Sequence, residues 1–200
     1  KAMTIQQINP LVIFFASILT SNMILSNFLG MCSYLSVSSE FKTASGLGKA
    51  VTLVMVFTTA INYLVYRYVI VPLDLVYLQY IIFIMVIAAL VQIIEMVMDR
   101  FLPDLHIKLG IFLPLITVNC AILGITLFMV IRQYTFVQSI FFGIGSGIGW
   151  WLAIIALAAI REKMAKTKLP RGLEGPGISF IITGIMALAF IGFSGIFTIS

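Results

Sequence analysis

Charge in this sequence is confined to short clusters, and the uncharged runs between them decide what the chain can fold into. The runs are Ala2–Ser39, Ala50–Tyr66, Leu75–Ile94, Leu109–Ile131, Gln133–Ile160 and Gly175–Ser200. Each reaches or approaches the ~20 apolar residues that carry a helix across a bilayer. The shortest, Ala50–Tyr66, is bounded by Lys49 and Arg67, whose stems can snorkel to the interface. Only 10% of residues are charged and 62% are hydrophobic. Soluble domains carry roughly 25% charge, so this chain has too little polar surface to cover itself in water, and too little to stay unfolded there. The ~10-residue alternation of a membrane β-barrel is missing. The expectation is an all-α integral membrane protein: six transmembrane helices in a single membrane domain over residues 1–200.

Lys and Arg in the connections set the orientation. One side carries Lys1, Arg67 and Arg132; the other carries Lys42, Lys49, Arg100, Lys108, Arg161, Lys163, Lys166, Lys168 and Arg171. The richer side is expected in the cytoplasm, with loops 33–49, 99–108 and 161–175, and both termini are expected on the opposite side of the membrane. The net charge of +5 is therefore a topology signal rather than a nucleic-acid footprint. The first apolar run lacks a basic leader and a small-residue cleavage site, so no cleavable signal peptide is expected.

Parts of the first half recur in the second. Gly46-Leu-Gly48 resembles Gly143-Ile-Gly145, and Phe83-Ile84 matches Phe180-Ile181 at the same spacing. Ile87, Ala89 and Leu90 match Ile185, Ala187 and Leu188 one residue further on. A duplication of three spans, an odd number, must insert its second copy upside down. The expectation is a 3+3 inverted repeat, with one unit over about 1–105 and the other over about 106–200.

Inverted repeats tend to place function where corresponding helices are interrupted. The first and fourth spans fit. Asn22-Met-Ile-Leu-Ser-Asn27-Phe-Leu-Gly30-Met-Cys32 sets two amides and a glycine in an apolar run, and the fourth contains Pro114, Thr117, Asn119, Cys120 and Gly124. The two cysteines of the chain fall one in each interrupted span. They can be small buried hydrophobes, a disulfide, or metal ligands. Soft thiolates select zinc, copper(I) or iron–sulfur clusters. A cluster commonly takes four thiolates, and His106 lies too far toward water to add to the pair, so a second chain would have to complete the set. Asn27, Asn119 and the backbone N–H of Gly30 are candidate donors to the sulfurs; the plain alternative for the asparagines is helix–helix hydrogen bonding.

Phe28-Leu-Gly30-Met-Cys32, the run Leu109 to Gly124 around Cys120, and Ala159-Ile-Arg161-Glu-Lys163-Met resemble one family of membrane subunits. It is shared by the bacterial Na+-translocating NADH:quinone oxidoreductase (Nqr) and the Rnf complex. Trp150-Trp151 and Asn62-Tyr-Leu-Val-Tyr66 are more similar to the quinone-reductase branch, and to its E-type subunits, than to the Rnf A subunit. The resemblance implies a [2Fe–2S] cluster shared with a homologous D subunit of opposite orientation, two cysteines from each chain, here Cys32 and Cys120. It also implies partnership with subunits A, B, C and F, and electron transfer across the membrane coupled to sodium export toward a quinone.

Glu95 is the one carboxylate deep enough to count as intramembrane, and such groups are usually functional. Positional analogy with the family it resembles makes it a candidate for the cytoplasmic sodium entry path; the alternative is a residue at the cytoplasmic helix end, solvated or paired with Arg100 or Lys108. The run Gly143-Ile-Gly-Ser-Gly-Ile-Gly149 reads as close helix packing; a phosphate loop needs a preceding strand and a following Lys-Ser/Thr. The basic connection Arg161–Arg171 is a topology determinant, or else a docking surface. No covalent flavin, NADH site or quinone pocket is expected on this chain. The rival class is a stand-alone inverted-repeat transporter.

Overall fold

The structure, a computed structural model, describes residues 9–101, 113–165 and 176–192. Helices and turns account for these residues, with no strand among them. In chain order the helices are α1 (Pro10–Leu19), α2 (Met31–Val37), α3 (Phe41–Val65), α4 (Gln79–Phe101), α5 (Leu113–Thr117), α6 (Cys120–Ile131), α7 (Phe136–Met164) and α8 (Pro176–Ile191). Helix α3 runs on into a π-helical turn, Tyr66–Ile70, and a 3-10 turn, Val76–Leu78, leads into α4. His106, Lys108, Lys166, Lys168 and Arg171 lie outside the described residues.

Among the described residues, three helices are long and apolar enough to cross a membrane: Phe41–Ile70, Val76–Val97 and Phe136–Met164. At 1.5 Å per residue the first and third reach about 45 Å, beyond the ~30 Å hydrocarbon layer. Lys42, Arg67, Arg161 and Lys163 lie toward the ends of these two helices. The apolar helices Pro10–Leu19, Leu115–Ile131 and Pro176–Ile191 are shorter.

Local chemistry sets several of the boundaries. Pro10 opens α1, where its missing N–H costs nothing. A reciprocal capping box between Thr135 and Gln138 starts α7. Asn119 caps α6, its side-chain oxygen accepting from the Ala121 N–H.

The centre of the molecule is α7, packed on α3 along one side and on α1 along the other. Small residues let the backbones close. Gly143 meets Thr59 and Gly147 meets Thr52 on α3, while Gly145 lies against the Phe14 carbonyl and Gly149 against the Ile18 carbonyl on α1. The glycine run is thus a two-sided packing surface, as its density suggested. Trp150, Phe142 and Ile154 from α7 join Leu47, Val51 and Met55 from α3 in the core.

Helix α4 packs on α3, α5 and α6. It turns Phe83, Ile87 and Val91 inward and leaves Tyr80, Ile81, Ile84 and Met85 exposed. On α8 the inward positions are Ser179, Thr183 and Ala187. The sequence match of Phe83 to Phe180 therefore pairs unlike places: Phe83 is fully buried and Phe180 is 53% exposed. One residue along a helix is a 100° rotation, so that letter match does not reflect a shared environment.

Candidate metal centre

Among the described residues, one helix break precedes each cysteine. Helix α1 ends at Leu19 and α2 begins only at Met31. Thr20, with its hydroxyl on the Ala16 carbonyl, closes the first of these. Asn22 then organises the segment. Its amide donates to the Gly149 carbonyl across 2.8 Å, and its oxygen accepts from the N–H groups of Ile24 and Leu25. One buried side chain both pins the break to α7 and folds it into a turn. The second interruption falls at Val118–Asn119, between α5 and α6. The break thus comes after Thr117 and not at Pro114, which stands inside α5.

The first break ends in left-handed backbone, with φ of 54° at Phe28 and 84° at Gly30. Gly30 has two reasons to be glycine. Its conformation disfavours a side chain, and a Cβ there would lie 2.7 Å from Trp150 Nε1, 3.0 Å from Ala121 Cβ and 3.1 Å from Asn119 Oδ1. This close approach aims the Gly30 N–H at Cys120, and it donates to Sγ across 2.9 Å. Two residues later Cys32 stands in the first turn of α2, while Cys120 opens α6.

The two turns are tied a second time. Asn119 Nδ2 donates to Ser33 Oγ across 3.1 Å, and the Ser33 hydroxyl donates to the Gly30 carbonyl. Cys32 thus lies between Gly30 and Ser33, both of which bond to the Asn119–Cys120 turn. Both thiols are free and exposed on the surface of the chain. At the far end of α2, the Arg161 guanidinium donates to the Leu35 carbonyl and to Ser38 Oγ, at 2.9 and 2.7 Å. A cation at a helix C-terminus also complements its dipole.

The sequence-predicted residues divide. Gly30, Asn119 and Cys120 come together, and Cys32 stands on α2 between Gly30 and Ser33, which contact that turn. Asn119 takes part as a cap and strut, without a bond to either sulfur. Asn27 does not join them: its amide turns back to the Asn22 carbonyl at 3.5 Å. Glu95 stands elsewhere, half-buried on α4 and not without a partner. Sequence reasoning passed over Ser33, Trp150 and the grip of Arg161 on α2. The Arg161 motif was visible, but no local pattern shows that it reaches back 126 residues.

The donor set suits a soft metal. Two exposed thiols, one already receiving a backbone N–H, would make two of the four thiolates a cluster commonly takes, and among the described residues no third His, Cys, Asp or Glu joins them.

A family model described as "Rnf-Nqr subunit, membrane protein" matches residues 11–197. The chain belongs to the Rnf-Nqr family. It is 53% identical over 190 residues to the E subunit of the Na(+)-translocating NADH-quinone reductase of Proteus mirabilis (strain HI4320), covering 92% of this chain and 96% of that one. It is 55% identical over 186 residues to the protein of the same name from Aeromonas salmonicida (strain A449), covering 90% and 94%. This Rnf-Nqr chain is a membrane protein whose relatives are subunits of an oxidoreductase complex, as the motifs around Cys32, Cys120 and Arg161 implied.

Proposed function

We propose that this chain is the E-type subunit of a Na+-translocating NADH:quinone reductase, and that Cys32 and Cys120 supply half the ligands of an intramembrane [2Fe–2S] cluster. The other two thiolates come from a homologous D subunit facing it, and subunits A, B, C and F complete the complex. One observation carries the reading: both cysteines are exposed, and Gly30, two residues before Cys32, donates its N–H to Cys120 Sγ at 2.9 Å.

When bound, the cluster supplies one-electron transfer across the membrane. The chain's own part is to position and solvate sulfur. Gly30 offers its N–H to Cys120 Sγ, a hydrogen-bond donor for a sulfur ligand in a low-dielectric setting. Asn119 and Ser33 fix the spacing of the two turns, and Arg161 anchors the far end of α2. Outward-facing sulfurs suit a site completed by another chain.

We infer six spans arranged as a 3+3 inverted repeat, with α1–α2 and α5–α6 as the interrupted members and α3 and α7 as counterparts. Both termini lie outside the bacterial inner membrane. Glu95 on α4, which packs against the α5–α6 break, is the candidate for cytoplasmic sodium entry.

Iron quantitation on the purified complex tests the proposal. Cys32→Ser and Cys120→Ser should each abolish the cluster's electron paramagnetic resonance signal while the complex still assembles. Full iron content in either variant overturns it. A stand-alone transporter would instead move a substrate without its neighbours and hold no iron.

A further inference from the structure

Buried polar groups in proteins are nearly always hydrogen-bonded, and each exception calls for an explanation. Among the described residues seven side chains are exceptions; besides Gln79, Trp151 and Ser179 they include a group of four. Thr58 Oγ1, both amide atoms of Asn62, Ser146 Oγ and Trp150 Nε1 are buried without a partner among the described residues. All four residues are 0% exposed.

Their placement is not scattered. Thr58 and Asn62 are one turn apart on a face of α3, and Ser146 and Trp150 are one turn apart on a face of α7. The two helices touch at Gly143 on Thr59 and at Gly147 on Thr52, contacts that bracket the level of Ser146. The four groups therefore follow one another along the α3–α7 seam, in the order Asn62, Thr58, Ser146, Trp150. At one end, Asn62 adjoins Tyr63, which with Tyr66, Arg67, Gln133 and Thr135 lines a cavity of about 450 Å³. At the other end, Trp150 Nε1 sits against Gly30, whose N–H holds Cys120.

We propose that this seam is an internal water site, a short file of bound water running from the Tyr63–Arg67 cavity to the cysteine turn. The chemistry of the unmet groups selects water. Asn62 and Trp150 present N–H donors that need an acceptor, and the Asn62 oxygen needs a donor. A bare cation would answer the oxygens alone, whereas water answers both kinds and typically makes about three hydrogen bonds where it is buried. Leaving the groups unmet would cost roughly 1–3 kcal/mol apiece. The inference stands apart from the iron proposal, since it concerns α3 and α7 whether or not metal is bound.

X-ray radiolytic hydroxyl labelling of the purified membrane complex, read by mass spectrometry, tests it, because labelling of a buried side chain requires water beside it. Trp150 should be labelled although fully buried, whereas Phe83, equally buried, should not. In the double variant Asn62→Leu with Ser146→Ala, labelling of Trp150 should fall to background. Should that variant fail to assemble, Ser146→Ala alone, which adds no bulk, should still lower it. An unlabelled Trp150 in the parent, or labelling unchanged in a variant that assembles, overturns the proposal.

Discussion

The backbone N–H of Gly30 donates to Cys120 Sγ across 2.9 Å, joining positions 90 residues apart. The contact exists because a left-handed glycine brings the end of one interrupted helix against the start of another. It makes Gly30 the most constrained position in the site.

Gly30→Ala should therefore disturb both fold and sulfur. Left-handed backbone costs an ordinary residue roughly 1–2 kcal/mol, and the added methyl would press on Trp150 Nε1 at 2.7 Å. The expected outcome is a lower midpoint in thermal unfolding of the purified complex, together with reduced iron content. An unchanged midpoint would show that the turn relaxes at little cost.

Asn119 separates two tasks, capping α6 and bracing Ser33. Asn119→Ser keeps a capping oxygen and gives up the reach to Ser33, while Asn119→Ala loses both. Removing a cap costs about 1 kcal/mol. Stability in denaturant should fall in the order Asn, Ser, Ala, and equal values for the two variants would remove the capping role.

Arg161 holds the C-terminal end of α2 through Leu35 and Ser38. Hydrogen bonds to a charged group contribute about 1.5–3 kcal/mol. Arg161→Met should speed amide exchange in α2 while the central turns of α7 keep their protection. Arg161→Lys should recover only part of the loss, because a single ammonium matches this forked pair poorly.

The glycines of α7 and α8 should answer differently to one methyl group. A Cβ at Gly145 would stand 2.6 Å from the Phe14 carbonyl oxygen, while one at Gly184 meets nothing within 4 Å of this chain. Overpacking typically costs 1–3 kcal/mol, and glycine to alanine in an open helical position gains about 0.5–1 kcal/mol. In detergent-purified single chain, Gly145→Ala should lower the melting temperature and Gly184→Ala should hold or raise it.

Much of this architecture is written in the order of residues, because bilayer physics leaves few options. The spacing of charges announces membrane helices, and the amides, Gly30 and the paired cysteines mark the two breaks. The details depend on distant partners. Asn27 and Asn22 look alike in sequence, yet only Asn22 meets a carbonyl of α7. Pro114 is the conspicuous residue of the second interruption, but the turn falls at Val118–Asn119, where a capping side chain is at hand. Trp150 carries no local sign of standing beside Gly30. Phe83 and Phe180 match by letter and differ by rotation, because an apolar run gives little indication of which side faces inward.

Both cysteines open outward from the chain. If a partner chain covers them as proposed, a copy made without it would present bare sulfur to whatever surrounds it, and exposed cysteine sulfur is open to oxidation. Synthesis in unequal amounts would then leave the surplus chemically vulnerable, and the placement of two side chains would tie the lifetime of this polypeptide to the supply of another.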